Sequence, residues 1–168
     1  MTPEWLPLQL NLVGSSIEDD YRKLHEVYER DFILSSMPTV DGSKVVVNNR
    51  PDLSIMGGVY TYGFTHLITC GETDRFIDYD RAKKLPWVRS ILDNYMKPEV
   101  SAFYVEHAKG ETLYLWLADS DFVVILRPLK SKRERAKNPR KIIVTSYHIH
   151  SGGRYKLQRL YGRSIRQL

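Results

Sequence analysis

The chain has a single cysteine, Cys70, which excludes an intramolecular disulfide and a zinc site built from several cysteines, and agrees with a reducing compartment. No apolar run approaches the roughly 20 residues that a membrane-crossing helix needs. The first residues, Met-Thr-Pro-Glu-Trp-Leu-Pro, lack a basic stretch followed by an apolar one, so a cytoplasmic location and no membrane partner are expected. The chain also lacks internal repeats and low-complexity segments. Acids are scarce where bases concentrate: residues 127–168 hold 13 of the 25 lysines and arginines and one acid, Glu134. Such a basic block is the electrostatic footprint of a polyanion partner, nucleic acid ahead of anionic lipid; the bland alternative is a solvated basic face.

What is present suits one globular domain. With 168 residues, 42% of them apolar and 27% charged, the chain can bury a core without staples. Ser16 followed three residues later by Asp19 resembles a helix start, and Ile17, Tyr21, Leu24, Tyr28 and Phe32 then recur at helical spacing. Residues 35–42 read as a loop, 44–47 as a short strand, and Gly57-Gly58 as a turn before a strand over 59–69 bent at Gly63. Asp78 or Asp80 caps the next helical stretch, whose main piece is expected over 86–95 with Pro86 in its first turn and Trp87 buried. From Ser101 the pattern alternates, giving strands over 102–108, 112–118, 122–127 and 141–149, the first two connections being hairpin-sized. Leu157, Leu160, Tyr161 and Ile165 point to a last helix after Ser151-Gly152-Gly153. The expected fold class is α+β: N-terminal helices, an antiparallel β-meander of four or more strands, and a C-terminal helix. One domain spans 1–168, with its core at about 57–165 and an N-terminal helical extension over 1–56.

Of the five histidines, His66 stands out because it interrupts an apolar segment with Arg75, Arg81 and Arg89 close behind. A near-neutral imidazole beside guanidinium groups suits an anionic substrate; the bland reading is a core histidine satisfied by the main chain. His25 reads as a packing residue and His107 as exposed, while His148 and His150 lack a third ligand and sit in basic surroundings, so no metal is expected. Alternation puts Ile143, Thr145 and Tyr147 on one face of the last strand and Ile142, Val144, Ser146 and His148 on the other. With Arg127 and Arg154 on neighbouring segments, Thr145 and Tyr147 can hold an anion; equally, both are ordinary strand formers.

The succession Gly63-Phe64-Thr65-His66-Leu67-Ile68, then Asp80-Arg81-Ala82-Lys83-Lys84-Leu85-Pro86-Trp87-Val88, then a meander ending Ile143-Val144-Thr145-Ser146-Tyr147, resembles the phage and toxin nucleases of the barnase, EndoU, colicin D and RelE class, over roughly residues 57–165. The resemblance implies a metal-independent endoribonuclease without cofactors, cleaving RNA by attack of the 2′-hydroxyl on phosphorus. It implies His66 as acid or base, Arg81 as a phosphate or structural contact, and Thr145, Ser146 and Tyr147 as the substrate-facing end of the last strand. The catalytic set expected is therefore His66, Arg81, Thr145 and Tyr147, and the nucleic-acid contacts are Arg127, Lys130, Lys132, Arg133, Arg135, Ser146 and Arg154. RNA is the expected partner, and a toxin of this kind also needs an inhibitor or immunity protein. The rival expectation is a non-catalytic nucleic-acid or protein-interaction module of the same fold.

Overall fold

Ser16 does cap a helix: its hydroxyl accepts from the Asp19 amide, and α1 runs Ile17–Tyr28 before widening into a π-turn over Glu29–Ile33. The computed structural model describes residues 1–12, 14, 16–129 and 138–168. Two short strands follow, β1 (Thr39–Val40) and β2 (Ser43–Val46), then α2 (Tyr62–Ile68), a small hairpin of β3 (Thr69–Cys70) and β4 (Phe76–Ile77), α3 (Tyr79–Ala82) and α4 (Leu85–Asp93). The meander is β5 (Val100–His107), β6 (Gly110–Leu117), β7 (Phe122–Pro128) and β8 (Arg140–His148), followed by α5 (Ser151–Gly162) and β9 (Arg166–Gln167).

The strand expected over 59–69 is a helix. Phe64, Leu67 and Ile68 are buried at helical spacing in the larger core, Phe64 against Tyr21 and Tyr28 of α1, so aromatic and β-branched content yields to tertiary packing. Gly63 permits this seat: a Cβ there would lie 2.7 Å from the Tyr28 hydroxyl and 2.8 Å from the Asn48 carbonyl oxygen. The Gly57-Gly58 turn is as expected, both residues having left-handed φ of 64° and 87°.

The sheet is mixed rather than a purely antiparallel meander. Seven strands lie in the order β1-β2-β8-β7-β6-β5-β9, with β2 parallel to β8 and the other pairs antiparallel. Alternation marks a strand but does not give its direction, and no hairpin constrains β2 to oppose β8. The first 56 residues thus contribute two sheet strands as well as a helix. Pairing with β2 ends at Ile142, and beyond it α2 and α3 lie against the edge of β8.

Helices α1, α2 and α4 share the larger core with one sheet face, where Trp87 is 4% exposed, donates to the Pro7 carbonyl at 2.8 Å and meets Phe122 edge-on. On the other face Leu157 of α5 packs with Phe103, Tyr114, Trp116 and Val123. A bulge at Val144 breaks the expected alternation of β8, because Leu126 pairs with Ile143 and Ile125 with Thr145. Ile143 therefore joins the larger core, while Tyr147 packs against the opposite cluster. Ile143, Thr145 and Tyr147 do not share one face.

Candidate active site around His66

His66 occupies the last turn of α2, half-buried, at a cavity of about 210 Å³ lined by Asn48, Tyr62, Gly63 and residues 142–144. This notch opens where β2 ends and α2 takes over the edge of β8. The imidazole meets the Tyr62 ring edge-on, with centroids 5.4 Å apart. Among the described residues no hydrogen bond engages either ring nitrogen, so neither is committed to the main chain as a core histidine's would be. Burial lowers its pKa below the ordinary imidazole value, Arg75 and Arg81 lower it further, and Asp52 opposes them. At neutral pH the ring is uncharged and able to accept a proton.

The fixing bonds go to the His66 main chain. Thr145 donates its hydroxyl to the His66 carbonyl at 2.9 Å, and Arg81 reaches the same carbonyl at 3.4 Å while donating to the Thr69 carbonyl at 2.6 Å. These two residues satisfy the carbonyls left open at the end of a helix. The Arg81 side chain is 13% exposed and lies 3.7 Å from the Asp78 carboxylate, with its guanidinium 6.0 Å from the centre of the Tyr147 ring. Burial raises the Tyr147 pKa, and Tyr114 adds to the effect, so the phenol keeps its proton.

His66, Arg81, Thr145 and Tyr147 are thus brought together from α2, α3 and β8. The expected nucleic-acid contacts do not form one group. Ser146 is wholly buried on the side of the larger core and cannot reach a nucleic acid, which the bulge at Val144 explains. Arg154 holds α5 in place by donating to Asp121 at 2.9 Å and to the Ala118 carbonyl at 3.1 Å. Arg127 is exposed on β7, opposite Ile142. Lys130, Lys132, Arg133 and Arg135 lie outside the described residues.

Three contributors were missed by sequence reasoning. Asp52 is fully buried, accepting from the Ser54 hydroxyl, from the Ser54 amide at 3.1 Å and from Thr65 of α2 at 2.6 Å. Burial alone would raise its pKa, but these bonds and His66 outweigh it and the pKa is lowered. An Asp-x-Ser turn before a pair of glycines was the available signal. Asn48 and Tyr62, which complete the cavity, carry none. Arg75 sits beside the site with all three guanidinium nitrogens engaged: Nε donates to the Thr69 hydroxyl at 3.0 Å, one terminal nitrogen to the Gly71 carbonyl at 3.1 Å and the other, more weakly, to the Thr69 carbonyl at 3.4 Å; each terminal nitrogen carries a second N–H outside these bonds.

His148 belongs elsewhere: its Nδ1 is 2.7 Å from the Lys84 ammonium, and its ring lies 5.1 Å from that of His150. Among the described residues no group of three or more His, Cys, Asp or Glu side chains is placed to hold a metal ion. No helix of the described residues is long and apolar enough to cross a membrane. Compared with protein-family profiles, curated proteins and solved structures, the chain matches none.

Proposed function

We propose that the protein is a metal-independent ribonuclease in which His66 is the general base. The observation that carries this reading is a half-buried, neutral imidazole whose ring nitrogens bond no described residue, held through its own carbonyl at the wall of an open cavity, with the Arg75 and Arg81 charges acting on the ring. In this reading His66 takes the proton of a ribose 2′-hydroxyl. The 2′ oxygen bonds to the adjacent phosphorus, the bond to the 5′ oxygen breaks, and that oxygen takes a proton from water. The products carry a 2′,3′-cyclic phosphate and a 5′-hydroxyl. Arg75 faces the charge that develops on the phosphoryl oxygens, and Tyr147 can donate a hydrogen bond to them. Thr145 acts as a positioning residue, since its hydroxyl is spent on the His66 carbonyl, and Arg81 positions the same helix end through one terminal nitrogen, which reaches the His66 and Thr69 carbonyls.

That same expenditure favours a second reading, a binding module that keeps the architecture without a proton path. Incubation of the purified chain with single-stranded RNA in excess chelator separates the two. The ribonuclease reading expects 2′,3′-cyclic ends, and His66→Ala is expected to lower the rate by roughly two to four orders of magnitude while leaving RNA binding in place. Salt-sensitive binding with no cleavage of any RNA tried establishes the module instead.

A further inference from the structure

A second cavity, of about 530 Å³, opens at the other end of the β2–β8 pairing, where Lys141 meets Val45 across the parallel register. Its walls include Asp41, Ser43, Tyr104, Glu111, Lys141 and Arg166. Lys141 is the anomaly here. Its side chain is 6% exposed, and its ammonium donates to the Ser43 hydroxyl at 2.9 Å and, more weakly, to the Val40 carbonyl at 3.4 Å. Among the described residues no carboxylate lies within ion-pair distance of it.

Among the described residues this buried ammonium bonds neutral oxygens, which is expensive, because neither acceptor supplies the opposite charge that would offset its desolvation. Burial lowers the Lys141 pKa and Arg166 adds to the effect, while Asp41 and Glu111 oppose it. The nearest acid by connectivity, Asp41, is already engaged: it accepts from the Tyr104 hydroxyl at 2.6 Å and from Arg166 at 2.8 Å. Arg166 in turn lies 4.3 Å from the centre of the Tyr104 ring, and Lys141 lies 5.7 Å from the same centre. Two cations therefore lie near one aromatic ring on the wall of an open cavity that also carries two carboxylates, Asp41, paired with Arg166, and Glu111.

We propose that this cavity is a phosphate-binding site, in which Lys141, the Ser43 hydroxyl and Arg166 take a phosphate group that gives Lys141 the close anionic partner it lacks among the described residues. The volume leaves room for a nucleotide-sized compound. The phosphate can belong to a free mononucleotide or to a polynucleotide backbone, and the two sources share the same recognition chemistry. The site is separate from His66 and does not depend on cleavage.

The test is thermal melting of the full chain with inorganic phosphate, adenosine monophosphate, adenosine, and a fully 2′-O-methylated oligoribonucleotide that cannot undergo 2′-hydroxyl attack. The expected result is a saturable rise in melting temperature with phosphate-bearing probes and none with adenosine. A rise with phosphate and the monophosphate assigns a free ligand; a rise with the oligonucleotide alone assigns a backbone phosphate. Lys141→Met is expected to melt higher than wild type without ligand and to weaken phosphate-probe binding by tenfold or more. Arg166→Gln, which alters a half-exposed side chain, is expected to weaken the same probes roughly tenfold and covers the case in which the lysine variant fails to fold. The site is overturned if no phosphate probe shifts the melt, if adenosine shifts it equally, or if folded Lys141→Met and Arg166→Gln both bind as wild type does. His66→Ala should keep the full phosphate response, so loss of cleavage and loss of this site are read separately.

Discussion

The Thr145 hydroxyl, on the strand β8, donates to the main-chain carbonyl of His66 at 2.9 Å, tying the sheet to the helix that carries the imidazole. The bond spans 79 residues of sequence and is made beyond Ile142, where the pairing of β8 with β2 has ended.

Thr145→Val keeps the shape and removes the donor. The expected loss of stability is about 1 kcal/mol, and the expected effect on RNA cleavage is a fall in kcat with little change in KM, because the variant loosens the base without touching bound substrate. In the same assay the acid limb of the wild-type pH–rate profile should fall below the ordinary imidazole value of about 6.5, since burial and Arg75 disfavour the His66 cation. Equal losses in KM alone, or an acid limb above that value, would contradict the assignment of His66 as the base.

Acidification should destabilise the fold through His148 as well as His66. Burial lowers the pKa of His148, and the Lys84 ammonium at 2.7 Å from its Nδ1 adds to this. The unfolded chain takes up a proton near pH 6.5, about the unperturbed value, while the folded chain resists it. More protons are then bound in the unfolded state, so stability present at neutral pH is lost as pH falls through that value towards the folded pKa. Melting temperatures at neutral and mildly acidic pH measure the slope, which His148→Gln should reduce by leaving Lys84 a neutral acceptor. An unchanged slope in that variant would place the acid sensitivity elsewhere.

Trp87→Ala should cost about 3 to 5 kcal/mol. The indole is buried against Phe122 and its N–H is bonded to the Pro7 carbonyl, so truncation opens a cavity between α4 and the sheet and leaves an acceptor of the N-terminal segment unpaired. Urea unfolding at equilibrium measures it; a midpoint close to wild type would mean that α4 can settle onto the sheet without the ring.

By itself the sequence determined what short-range chemistry determines. Ser16 and Asp19 mark the start of α1, Pro86 sits where a helix tolerates it, and the alternating runs from Val100 onward define β5 to β8, the first two connections being hairpin-sized. Those signals need only a few neighbouring residues to agree on one backbone geometry. Tertiary structure decided the rest. Residues 62–68 became a helix because Phe64, Leu67 and Ile68 enter the larger core, Phe64 against Tyr21 and Tyr28, with Gly63 pressed against Asn48. The parallel pairing of β2 with β8, and the bulge at Val144 that turns Ser146 inward, depend on how distant side chains fit across the sheet. The gathering of His66, Arg81 and Thr145 follows from that fit: helix α2 packs along β8 beyond the point where β2 stops pairing, and α3 and β8 bring donors to its last carbonyls.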